Sequence, residues 1–109
     1  MDRVFYSDGC GKGRAFYLKP AAAVASARRA GTTATLDQLN KYFTIAQMPV
    51  ISSRYWNMVY GFTPEDVMKD LEGLQVMRVL ARNMAYFLKC KAAGAAAGVE
   101  PTKIGRAHV

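Results

Sequence analysis

The segment at 26–33, SARRAGTT, carries the residue types in this sequence that best suit ligand binding. It joins a run of small apolar residues to an amphipathic run, so we expect it to leave a buried strand and enter a helix. A helix N-terminus presents free backbone N–H groups and a partial positive charge, which suit an anion or a polar ring edge. The alternative is a capped helix start with solvated arginines. The candidate residues are Ser26, Arg28, Arg29, Gly31, Thr32 and Thr33.

Each residue type in this loop has its own chemical use. Gly31 lacks a Cβ atom, so the backbone there can approach a ligand closely. The hydroxyls of Thr32 and Thr33 can donate to a phosphate or to the polar edge of a ring. The guanidinium groups of Arg28 and Arg29 can attract phosphates or an anionic ring.

A second candidate cluster is the aromatic segment at 55–62, YWNMVYGF. Tyr55, Trp56 and Tyr60 could flank a planar ligand or pack in a subunit interface. The alternative is local packing against the final helix. From the residues alone, these interpretations stay open.

No spacing in the sequence favours protein-based acid–base, nucleophilic or metal catalysis. The GCGKG run at 9–13 lacks the Walker spacing and the hydroxyl residue after its lysine, so it is interpreted as a surface turn. Cys10 and Cys90 make neither a disulfide framework nor a metal motif, which favours buried or idle thiols in a reducing compartment. We therefore predict no catalytic residue, no metal ligand and a cytoplasmic location.

The composition is that of one globular domain. The chain has 109 residues, of which 51% are hydrophobic and 21% charged, enough to bury a core. No apolar run approaches the roughly 18 residues that cross a bilayer, and the start lacks the apolar region of a signal peptide. The net charge of +7 would suit nucleic acid, but the positive residues are dispersed. We expect neither a membrane nor a nucleic acid as a partner.

The elements alternate between strands and helices. Short apolar runs are typical of buried parallel strands, and recurrence at helical spacing predicts the helices. Because two strands cannot make a stable parallel sheet alone, the pattern predicts the C-terminal half of a larger α/β domain. The predicted elements are a strand at Ala21–Ala27, a helix at Thr35–Ala46, a strand at Met48–Ser53 and a long helix from Thr63 to about Gly94.

The long helix has clear start signals. Thr63 is a suitable N-cap residue, and Pro64 suits the first helical position. An apolar stripe along the helix predicts that it covers one face of the sheet. The stripe comprises Val67, Leu71, Leu74, Met77, Ala81, Met84 and Leu88.

Three segments together resemble a known family. They are DRVFYSDG, KPAAAVASARRAGTTAT and LDQLNKYFTIAQMPVISSRYWNMVYG. They are similar to the flavodoxin-like NAD(P)H-dependent FMN reductase family, in the branch of flavodoxin family proteins and iron–sulfur flavoproteins, from about Asp2 to Val99. The resemblance implies the C-terminal half of a doubly wound parallel sheet in a three-layer α/β/α fold, truncated at the N-terminus.

The resemblance also implies a function. FMN would lie at the carboxyl ends of the strands, and hydride would pass from NAD(P)H to FMN and on to a quinone, free flavin or redox protein. The alternative is a non-catalytic electron-transfer or binding module on the same fold. A homodimer or homotetramer is implied for the intact parent. The implied cofactor contacts are Ser26, Arg28, Arg29, Gly31, Thr32, Thr33, Tyr55 and Trp56.

The chain also departs from the family pattern. Ala30 stands where the family usually has a second glycine. The phosphate-binding loop, the loop after the third strand and any iron–sulfur cysteines are expected upstream of Met1. Residues 1–102 are thus predicted to be a partial domain that is inactive alone.

The ending KIGRAHV at 103–109 does not fit the family. One reading frame of a widely used sequencing adapter encodes Ile104 to Val109 and supplies the last two bases of a codon for Lys103. We therefore predict a non-native tail, in which His108 has no role.

Overall fold

The computed structural model describes residues 3–4 and 15–101. The predicted tail, Cys10 and the GCGKG run lie outside these residues. The described chain is a mixed α/β structure in which a two-stranded parallel sheet is combined with three helices. Its elements are β1 (Ala25–Ala27), α1 (Thr32–Ile45), β2 (Met58–Tyr60), α2 (Pro64–Lys69) and α3 (Leu71–Ala96).

The parallel pairing was predicted, but the position of the second strand was wrong. Ala25 of β1 pairs with Met58 of β2, and an isolated parallel bridge joins Ala21 to Val50. Only Val50 of the predicted strand Met48–Ser53 therefore pairs, and β2 lies within the predicted aromatic loop. Ala25 follows Ala21 by four positions whereas Met58 follows Val50 by eight, so the second strand leaves the sheet and returns.

The residues at 52–57, here called the excursion, are held by side-chain hydrogen bonds. Asn57 Nδ2 donates to the Ala23 carbonyl oxygen at 3.0 Å, between the two paired stretches. The Asn57 side-chain amide thus donates to the first strand at the point where the backbone of the second strand has left the sheet. From α3, Asn83 Nδ2 donates to the Ser52 carbonyl oxygen at 2.8 Å. The first bond matters more, because Ala23 is buried and an unpaired buried carbonyl destabilises the fold.

The helix α1 covers the sheet with an apolar stripe. Leu36 is buried with Ala23 and Met58, and Leu39 and Phe43 pack against this cluster. The helix begins three residues before the predicted start, at Thr32. The left-handed backbone before it lets the helix start directly after the turn.

The predicted final helix is divided in two at Asp70. Thr63 and Asp66 form a capping box at the start of α2, as the start signals indicated. Asp70 has φ −79° and ψ 80°, which is not helical, and it caps α3. Gly98, with φ 91°, ends α3 through hydrogen bonds of Gly98 N to Ala95 O and Val99 N to Gly94 O.

The predicted apolar stripe of this helix was confirmed only in part. Leu74, Met77 and Met84 are half-buried, whereas Leu71 is 74% exposed and Leu88 is 47% exposed. The fully buried residues of α3 are instead Gly73, Val76 and Leu80. No residue of α3 after Leu80 is buried. Within the described ranges, no helix is long and apolar enough to cross a membrane.

Candidate functional site

The loop between β1 and α1 lies where the strand ends. Ser26, Arg28 and Arg29 are exposed. Gly31 then adopts φ 96° and ψ −4°, the left-handed region, and is the N-cap of α1. A Cβ atom on Gly31 would have no neighbour within 4 Å. The backbone conformation, and not a lack of space, therefore favours glycine at this position, because other residues are strained in the left-handed region.

The N-terminus of α1 has no side-chain cap among the residues that the structure describes, and its first turn contains no acidic residue. The first internal bonds run back from Thr35, whose backbone N and Oγ1 both donate to the Gly31 carbonyl oxygen at 3.1 Å and 2.9 Å. The N–H groups of the first turn thus remain for an anion or a ring edge.

The hydroxyl of Thr32 is turned into the protein. Thr32 is 3% exposed, and its Oγ1 lies 3.3 Å from Met58 Sδ and 3.2 Å from the Tyr60 hydroxyl. These contacts join the first residue of α1 to β2. Thr32 therefore positions the loop, whereas the adjacent Thr33 is exposed.

Arg28 links the carboxyl ends of the two strands. Its guanidinium carbon lies 4.9 Å from the centroid of the Phe62 ring, a cation–π distance. Phe62 is 72% exposed and lies two residues after the end of β2. The sequence analysis did not select Phe62, although its place in the aromatic segment was a signal for it.

Three of the predicted contacts meet in a groove between α1 and the excursion, here called the α1 groove. It has a volume of about 120 Å³. The rings of Tyr55 and Trp56 lie 5.0 Å apart at an angle of 53°, and they are 50% and 58% exposed. Polar side chains complete much of the lining. The lining includes Thr33, Asp37, Asn40, Tyr55, Trp56 and Asn57.

Seven of the eight predicted contacts therefore divide into two groups, since Thr32 is turned into the protein. Ser26, Arg28, Arg29 and Gly31 belong to the end of β1, and Thr33 with the two aromatic residues lines the α1 groove. Tyr60, the third aromatic candidate, instead lines a separate cleft of about 240 Å³ with Tyr55, Met58 and Asp70.

Asn40 is a residue of the α1 groove that the sequence analysis missed. Its Oδ1 atom is buried and has no hydrogen-bond partner among the described residues. Asn40 lies four positions after Leu36 and three before Phe43, which places it on the apolar stripe of α1. An amide on such a stripe was the signal that could have identified it.

The described residues contain no group of three His, Cys, Asp or Glu side chains placed to hold a metal ion. Comparison of the chain with protein-family models, curated proteins and solved structures gave no match. The function is therefore inferred from the residues and their geometry.

Proposed function

We propose that the chain forms part of an FMN-dependent NAD(P)H oxidoreductase with a flavodoxin-like fold. The observation that carries the proposal is the end of β1, where two exposed arginines precede a left-handed glycine and an uncapped helix. Ligands of open parallel α/β sheets bind outside the carboxyl ends of the strands. The residues of SARRAGTT occupy such a position.

The residues present fit part of a flavin. The first turn of α1 offers N–H donors without an internal cap, and Arg28 and Arg29 add positive charge. These groups suit a phosphate or the oxygen-bearing edge of the ring. Tyr55 and Trp56 offer exposed aromatic surface for a planar system.

The chemistry of hydride transfer belongs to the flavin, which accepts hydride from NAD(P)H when it is bound. The residues of the chain would bind and orient it. Arg28 and Arg29 would hold negative charge near the end of β1, and the Thr33 hydroxyl would donate a hydrogen bond. Tyr55 and Trp56 would limit the access of water to the flavin. No acid–base residue is needed for these roles.

In the part of the chain that the structure describes, no strand lies at the outer edge of β1, and this supports a larger sheet. Ala25 and Ala27 direct backbone groups toward the second strand, through Ala25 N to Asn57 O and Gly61 N to Ala27 O. Because these groups alternate along a parallel strand, those of Val24 and Ser26 face the other edge. Val24 is 55% exposed. Parallel strands are normally covered on both sides, so a further strand beside β1 would complete the arrangement we propose.

The proposal is tested by titrating FMN against the chain and following the quenching of flavin fluorescence. We expect weak binding, because the predicted phosphate-binding loop is not in the chain. Gly31→Val should lower the affinity several-fold, since valine is strained at φ 96°. Gly98→Val is the matched control, because Gly98 has φ 91° and equally open surroundings but lies beyond α3. Equal affinities for the two variants would contradict the assignment.

A second experiment separates the enzyme from an electron-transfer module. In a longer protein that contains this segment and binds FMN, NAD(P)H alone should bleach the flavin absorbance. A flavin that is reduced only after a separate reductase is added would instead establish the electron-transfer module.

A further inference from the structure

We propose that the α1 groove binds a planar ring that carries an N–H donor, and that Asn40 receives this N–H. The inference rests on the proposed function only for the choice of ring, which is either the nicotinamide of NAD(P)H or the pyrimidine edge of the flavin. Both rings are flat and present N–H groups at one edge.

The first argument is the unpaired acceptor. Asn40 Oδ1 is buried without a partner among the described residues, and an unpaired buried acceptor destabilises a fold. Its neighbours on the helical stripe, Leu36 and Phe43, pack with the core. An apolar side chain at position 40 would therefore serve folding better, so the amide is explained by a donor from outside the fold.

The second argument is the shape of the groove. A volume of about 120 Å³ suits one ring with its substituent, because whole cofactors occupy cavities of about 300 Å³ or more. Tyr55 and Trp56 supply aromatic surface on which a flat ring can stack. The terminal torsion of an asparagine is soft, so the Asn40 amide can turn toward a ring in the groove.

The third argument is the charge of the lining. Asp37 also lines the groove, and its carboxylate accepts hydrogen bonds without donating any. With Asn40 Oδ1 it makes an edge of the groove that favours donors and repels anions. The groove should thus prefer a carboxamide to a ketone of the same shape, and a ketone to a carboxylate.

The experiment measures the binding of single rings to the isotope-labelled full chain by amide NMR, with the Trp56 indole N–H as reporter. Nicotinamide, 3-acetylpyridine and nicotinate test one source of the ring. Lumiflavin and 3-methyllumiflavin, which lacks the N3–H, test the other. We expect the N–H form of at least one ring to bind roughly five-fold more tightly than its matched analogue. The ring that shows this preference identifies the source.

Variants at position 40 assign the preference to Asn40. Asn40→Leu should abolish the preference for the N–H form. The urea concentration at the midpoint of unfolding should stay equal or rise, whereas it would fall if Asn40 had a structural role. Asn40→Asp keeps an acceptor and should keep the preference. Gln38→Leu, at an exposed position of the same helix, is the control and should change neither quantity.

Absence of binding by every ring, or equal binding of each N–H form and its analogue, would overturn the inference. So would a preference that survives in Asn40→Leu. These readouts are independent of the FMN titration of Gly31→Val. If the preference for the N–H form is absent but Gly31→Val still weakens FMN binding, only the role of Asn40 is overturned. If the preference is present but Gly31→Val leaves FMN binding unchanged, only the proposed function is overturned.

Discussion

The Asp70 carboxylate joins the end of β2 to the start of α3 through the Tyr60 backbone. Its Oδ2 accepts from Tyr60 N at 2.8 Å, and its Oδ1 accepts from Gly73 N at 3.0 Å. One side chain thus satisfies a strand donor and a helix donor together. It ties the first turn of α3 to the end of β2.

Replacing Asp70 with alanine should lower the free energy of unfolding by about 2 kcal/mol, because it removes a helix cap and a charge-assisted bond to the strand. Urea unfolding followed by circular dichroism measures the change. Glu65→Ala, on an exposed residue of α2, is the control and should change the stability by less than about 0.5 kcal/mol. Equal losses in the two variants would show that the Asp70 contacts contribute nothing specific.

Two glycines of α3 should respond in opposite directions to alanine. A Cβ atom at Gly73 would collide with the Asp70 carboxylate, with Cγ at 2.8 Å. The carboxylate can move away only by giving up its hydrogen bonds, so Gly73→Ala should destabilise despite the higher helix propensity of alanine. At Gly94 the same atom would meet Val99 Cβ at 3.7 Å, an ordinary contact.

Gly94→Ala should therefore stabilise the chain by about 0.5–1 kcal/mol through helix propensity. Thermal unfolding of the two variants beside the wild type measures the contrast. A gain in stability for both variants would show that Asp70 is not held where the structure places it.

Loss of the Asn57 amide should destabilise the interrupted pairing between the two strands. Asn57→Ala leaves the carbonyl of Ala23, a residue 8% exposed, without its donor, which should destabilise by about 1–3 kcal/mol. Asn83→Ala removes a bond of similar length to Ser52 that is exposed, and it should have a smaller effect. Amide hydrogen exchange at Ala25 and Met58 would show whether the loss is local to the pairing.

The Arg28–Phe62 contact predicts a weak coupling between the two strand ends. Because both groups are exposed, a double-mutant cycle of Arg28→Ala and Phe62→Ala should give a coupling of about 0.5–1 kcal/mol. Additive effects within the error of the unfolding curves would mean that the stacked pair contributes nothing to stability.

Several elements were predictable because their signals are local. The strand region around Ala25, the helix α1 with Leu36 on its buried face, and the Thr63 cap each depend on residues a few positions apart. The position of β2 was not predictable in this way. The MPVISS run has stronger strand character than MVY, but its pairing is interrupted by an excursion whose bonds reach Ala23 and Asn83, far away in the sequence.

The candidate site shows the same division. The loop SARRAGTT and its place between a strand and a helix followed from residue types and periodicity. The separation of Thr32 from Thr33 did not, because it depends on Met58 and Tyr60 approaching from another strand. The unpaired Asn40 acceptor likewise could not be predicted from the sequence, although the position of an amide on the apolar stripe of α1 could be.

The sequence by itself thus determined the α/β alternation, the helix starts and the chemistry of the loop after β1, since each arises from short-range periodicity and capping. Only the tertiary structure decided the register of β2, the buried face of α3 and the gathering of Thr33, Tyr55 and Trp56 around Asn40. These features depend on contacts between distant segments. Such contacts are set by which hydrogen-bonding groups and apolar faces can be satisfied together, and no local pattern encodes them.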